Sequence, residues 1–226
     1  MTEGKNHRSQ DRDSREFGEL FSYTALGFAG GITIGAVLDF HGFQRSPIGQ
    51  WLVRTISGEG ESIFEGIYAF RHRISGSRSS MAEAYGWGKL FGMLVPWIID
   101  GISRLAGIDV YGVESFYIPY FYAMSDQIGA SISGLLFLRR QEGGWQTTLR
   151  HYIHHPVMLT SLAIISAVPV GLLLARLMGF SPTTQLYTAL ETTVANLCWV
   201  PPLVGWLSEK LKCPGGRKIK SKRKLK

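Results

Sequence analysis

Cysteine is nearly absent. The 226 residues hold two, Cys198 and Cys213, too few for a disulfide framework. A secretory leader is not expected. The first 19 residues are polar and mixed in charge, and no small-residue cleavage site follows the first apolar block. The signatures G-x-x-x-x-G-K-[ST], G-x-G-x-x-G before a helix, H-E-x-x-H and G-x-S-x-G do not occur. Phosphate-loop, dinucleotide, zinc-peptidase and serine-hydrolase chemistries therefore lack their usual carriers. Acids are missing from 210–226, which has nine Lys and Arg, so the formal +7 of the chain becomes −2 without that tail. Charge of either sign is missing from 20–38.

What is present is apolar residues in blocks. A hydrophobic content of 45% and a mean hydropathy of +0.06 suit a soluble protein, but the average hides long apolar runs between very polar ends. A bilayer core about 30 Å thick needs roughly 20 apolar helical residues. Five stretches approach that: 20–38, 86–108, 116–138, 157–177 and 186–207. The last ends in aromatic residues suited to a headgroup level, Trp199 and Trp206, and holds Pro201-Pro202, a kink that neighbouring helices can satisfy. The expected fold is all-α, a polytopic membrane bundle of about five spans. Residues 1–19 form a disordered polar arm and 210–226 a basic cytoplasmic tail.

Between the first two spans, 44–75 is too polar to cross. Its apolar residues keep helical spacing in two pieces, Ile48, Trp51, Leu52 and Ile56, then Ile63, Phe64, Ile67, Tyr68, Phe70 and Ile74. Pro47 starts the first, and Gly58-Glu59-Gly60-Glu61 reads as turn material between them. Such pieces lie in the membrane interface. Arginine-rich loops at 41–85 and 139–156 fall on the side of the basic tail. The rule that cytoplasmic loops are positive then places the C-terminus inside and the N-terminus outside, in a multi-pass protein of the plasma membrane. Gly27, Gly31 and Gly35 recur every four residues, a face for close helix packing or for a homo-oligomer.

Three features could carry function. First, Asp126, Glu191 and Asp100 fall on three different expected spans, with Asn196 one turn beyond Glu191. Ionisable groups inside a bilayer are costly and point to ion or proton pathways. Asp100 and Arg104 stand four apart and can pair on one helix face. Second, Arg150–Pro156 reads RHYIHHP. His151, His154 and His155 at i, i+3 and i+4 could hold a transition metal, with His72 or His41 completing the set. H-x-x-H-H resembles one histidine box of the membrane di-iron desaturases and hydroxylases. That resemblance covers five residues, and the chain's six histidines form no second box. Third, the tail residues Arg217, Lys218, Lys220, Lys222, Arg223 and Lys224 suit anionic lipid. No aromatic is interleaved among them, so stacking on nucleic-acid bases is not supported. The first expectation is a small cation- or proton-coupled transporter or channel with no catalytic residues. The second is a membrane enzyme acting on a lipid or isoprenoid, with the histidines and Arg71 or Arg73 at the headgroup. The third is a non-catalytic subunit of a membrane complex.

Overall fold

The structure is a computed structural model that describes residues 3–108, 117–180 and 185–212, with side chains at 15–108, 124–155, 157–180 and 186–208. Those residues are all helix or connection. In chain order the helices are α1 (Glu3–Phe40), α2 (Pro47–Ile74), α3 (Met81–Leu105), α4 (Tyr117–Glu142), α5 (Trp145–Tyr152), α6 (Pro156–Leu177), α7 (Gln185–Asn196) and α8 (Val200–Lys212). The segment expected as a loose arm is, from Glu3 onward, the start of α1.

The main departure from expectation is α2. Two surface pieces were expected in 44–75, and the structure has one helix of 28 residues. Ser46 caps it, its hydroxyl accepting from Gly49 N at 3.0 Å, and Pro47 supplies the first helical φ. The glycines that suggested a turn lie inside the helix, where α1 presses on it. A Cβ on Gly27 would stand 2.5 Å from the Gly60 carbonyl, and one on Gly31 the same distance from that of Ile56. Only glycine admits that approach. The Gly27, Gly31 and Gly35 face, expected to seat a closely packed helix or a second copy, packs against α2 of the same chain. A matching seam joins α3 to α4, where a Cβ on Gly88 would stand 2.5 Å from the Gly129 carbonyl.

The helices close into a ring. α2 packs on α1 and α3, α4 on α3, α6 on α4 and α7 on α6. α7 returns to α2, with Thr188 against Gly58, and the ring beyond it meets the start of α1 through Phe17 and Phe21 on Trp199. Trp206 of α8 covers Gly18, so the beginning of α1 and α8 lie at one end of the bundle.

Two helical stretches, Arg15–Phe40 and Val157–Leu177, are long and apolar enough to cross a membrane. They match two of the five expected spans. The other three fall on helices that miss that standard for physical reasons. α3 carries Lys89, Asp100 and Arg104, and α4 carries Asp126 and Gln127 amid its apolar residues. The last expected span is divided by a 3-10 turn at Leu197–Trp199, ahead of the proline pair. Burial departs from the usual soluble pattern, in which buried polar residues are few. Among the described residues, 20 polar or charged residues are buried beside 21 hydrophobic ones, while Ile34, Val95, Ile102, Ile132 and Leu173 stand more than half exposed.

A buried acidic cavity as the candidate functional site

The polar interior is organised by α2. Glu61 and Glu65 are one turn apart on the same face, with Ser62 beside them. Opposite them α3 places Lys89, whose side chain is 0% exposed. Its ammonium lies 2.9 Å from Glu61, 3.5 Å from Glu65 and 3.0 Å from Asp126 of α4. Three carboxylates from two helices therefore share one cation. Asp126 and Glu65 have further donors, whereas Glu61 Oε2 has no hydrogen-bond partner among the described residues. Ser62 Oγ donates to Asp126 Oδ2 at 2.7 Å, Gln127 N to Asp126 Oδ1 at 2.6 Å, and the Thr24 hydroxyl of α1 to Glu65. Behind Asp126, Gln127 Oε1 accepts from Tyr85 and from Ser161, each at 3.1 Å.

Beside this cluster lies a cavity of about 70 Å³, room for several waters. Its walls differ. α2 contributes Arg54, Thr55, Glu59 and Glu61, whereas α6 contributes Ile164, Val168 and Leu172. Asp100, Asp126 and Glu191 all open onto it. The three acids that sequence placed on separate spans do converge. Asp100 is held by Arg104 at 3.1 Å, the pair expected from their spacing, and Arg104 also donates to Gln50. Glu191 accepts from Thr192 at 3.3 Å and, among the described residues, has no cation within ion-pair distance.

Counted together, six carboxylates (Glu59, Glu61, Glu65, Asp100, Asp126 and Glu191) stand against three cations (Arg54, Lys89 and Arg104). Burying an uncompensated charge costs several kcal/mol. Arg176, which bonds Tyr187 on the cavity wall, adds a fourth cation, and the acids still outnumber the cations.

No family model matches this sequence, and no curated protein or solved structure is similar to it. What the site can do rests on its own geometry.

The other predicted groups do not join it. Asn196 turns back to donate to the Thr192 carbonyl at 2.9 Å. The three histidines separate: His151 Nδ1 meets Glu142 at 2.7 Å, His154 Nδ1 meets the Arg150 carbonyl, and His155 is drawn inward. Burial pushes the His155 imidazole down to about 4. His72 lies between Glu16 and Glu83, and His41 against Phe40 at the far end of α1. Among the described residues no group of three such side chains is arranged to hold a metal ion, and the three histidines are not brought together. The tail from Arg217 to Lys224 lies outside the described residues.

Sequence reasoning did not single out Glu59, Glu61, Glu65 or Lys89 as site residues. The available signal was Glu61 and Glu65 at i, i+4, with Arg54 and Gly58 on the same stripe, facing a lone lysine in an apolar helix.

Proposed function

We propose that the chain is a multi-pass membrane protein that carries protons or a small cation through its helix ring, by way of the acidic cavity. The observation that carries this reading is the excess of carboxylates enclosed around Lys89 and water-sized space, inside a ring whose outer face is apolar. A soluble protein gains nothing from that inversion, whereas a bilayer favours it.

On this reading α1, α2, α3, α4, α6 and the α7–α8 pair each cross. Even α6, with 22 residues, is about 33 Å long at 1.5 Å per residue. Six crossings put both chain ends on one side, in place of the outer N-terminus that five would give. Support comes from the pairing of Gly18 with Trp206 and from charge. Arg71, Arg73, Arg78, Arg139, Arg140 and Arg150 fall at the same end as the basic tail, the cytoplasmic one by the positive-inside rule.

Lys89 acts as a tethered counter-ion. A proton or cation arriving at Asp126 weakens its hold on the ammonium, which then shifts its weight to Glu61 and Glu65, 3.5 Å away or nearer. Glu191, across the cavity, is the relay without a fixed cation. The test is flux. Full-length protein in liposomes should dissipate an imposed pH gradient or pass a small cation, and Asp126→Asn should reduce the rate at least about tenfold, as loss of an essential relay does. No flux under any gradient from folded, inserted protein would make the network structural.

A further inference from the structure

A second concavity opens on the outer surface at the basic end, between the α2–α3 corner and the last turns of α4. It holds about 450 Å³. Its mouth and its floor differ in chemistry. At the mouth stand two arginines, Arg73 and Arg140. The Arg73 side chain is 67% exposed, reaching Ser79 Oγ at 3.3 Å and lying 3.9 Å from Glu83. Glu83 itself is turned inward, 3.4 Å from His72, so it leaves most of that guanidinium open. Arg140 has no acid within ion-pair distance among the described residues.

The floor is aromatic. Trp87 and Phe91 stack at 5.7 Å with 20° between their planes, facing Leu136 and Phe137. The apolar surface does not stop at the floor. Phe91 (60% exposed), Val95 (62%) and Ile132 (54%) continue it along α3 and α4, away from the arginines and toward the middle of the bundle. Two cations above an apolar slot match an amphiphile with a phosphate at one end and a hydrocarbon chain at the other. A water-soluble anion would have no use for the slot.

We propose that this groove is a binding site for an anionic phospholipid of the cytoplasmic leaflet, its phosphate between Arg73 and Arg140 and its first acyl carbons along Trp87 and Phe91. The site rests on the membrane reading given above, but not on flux.

Trp87 supplies the readout. Full-length protein is reconstituted in phosphatidylcholine vesicles carrying brominated acyl chains on either phosphatidylglycerol or phosphatidylcholine, since bromine quenches an indole it touches. The Trp87 signal is the difference between the chain and Trp87→Phe, each checked for the same helical circular dichroism. Half-quenching by phosphatidylglycerol is expected at a mole fraction about tenfold below that for phosphatidylcholine, and Arg73→Gln with Arg140→Gln should erase the difference. If the double variant fails to insert, Arg140→Gln alone, at an exposed position, should still reduce the preference about threefold. Inorganic phosphate at millimolar concentration should not compete. Equal quenching by both lipids, a preference that survives the arginine changes, or displacement by inorganic phosphate would each overturn the lipid site. A chain that stays in water and never enters the vesicles would instead strike the membrane reading itself.

Discussion

α2 and α6 face each other across one cavity and could hardly differ more. α6 is uncharged until Arg176 and offers Ile164, Val168 and Leu172. α2 offers Arg54, Glu59 and Glu61, and hands Glu65 to Lys89 next door. A helix like α6 is stable in oil by its own composition. One like α2 can be buried only if its neighbours supply the opposite charge, donors such as Thr24, and a glycine seam close enough to exclude lipid from its backbone. The apolar wall gives the cavity shape and low dielectric, and the charged wall lines it with ionisable groups.

If that division holds, damage to the two walls should separate. The largest effect belongs to Lys89→Met, which strands three carboxylates. We expect a stability loss of about 3–5 kcal/mol by thermal unfolding in detergent, with flux abolished. Adding Asp126→Asn should return part of the stability and none of the flux. Next comes Leu172→Ala on the apolar wall. It should cost about 3 kcal/mol as a cavity-forming change, while the flux per folded molecule stays within about twofold of wild type. A Leu172→Ala protein that is stable but dead would break the comparison. Third, Gly31→Leu should part α1 from α2, at about 2 kcal/mol, since its first carbon meets the Ile56 carbonyl. Gly30→Leu, one residue on, has nothing within 4 Å and should be silent.

The smallest effect lies outside both walls. The imidazole of His155, pushed down to about 4 by burial, is neutral when folded, whereas the unfolded chain titrates near 6.5. The unfolded state therefore takes the proton first. Stability from this residue is complete above pH 6.5 and drains away as pH falls toward 4. Unfolding curves of His155→Leu should show a shallower acid loss across that window, and unchanged slopes would contradict the burial of this ring.

The same contrast explains what the sequence could and could not disclose. α6 was legible because 157–175 holds no charge and is mostly apolar over its whole length. So was the convergence of Asp100, Asp126 and Glu191, because an acid in an apolar run has to turn inward. α2 was not legible, because its burial depends on partners 28 to 64 positions away. Lys89 answers Glu61, Asp126 answers Ser62, and no local window holds both. Its glycines were ambiguous for a related reason. Gly58 and Gly60 signal a turn in water and a helix contact in a bundle, and only the facing groups, Thr188 for Gly58 and Gly27 with Gly31 for Gly60, decide between them. The histidine group misled in the opposite sense. Spacing at i, i+3 and i+4 presumes that the helix continues, whereas α5 stops at Tyr152 and splits the three rings.

The claim at the centre is that the enclosed carboxylates exchange protons or cations through the bundle. A hydrophobic carbodiimide modifies protonated carboxyl groups in apolar surroundings, and its adducts can be placed by mass spectrometry. In lipid-embedded protein at neutral pH, modification should appear on α2, α4 or α7 at Glu59, Glu61, Asp126 or Glu191, and flux should fall in step with it. Adducts confined to outer acids such as Glu142, with the cavity carboxylates untouched and flux unchanged, would contradict it.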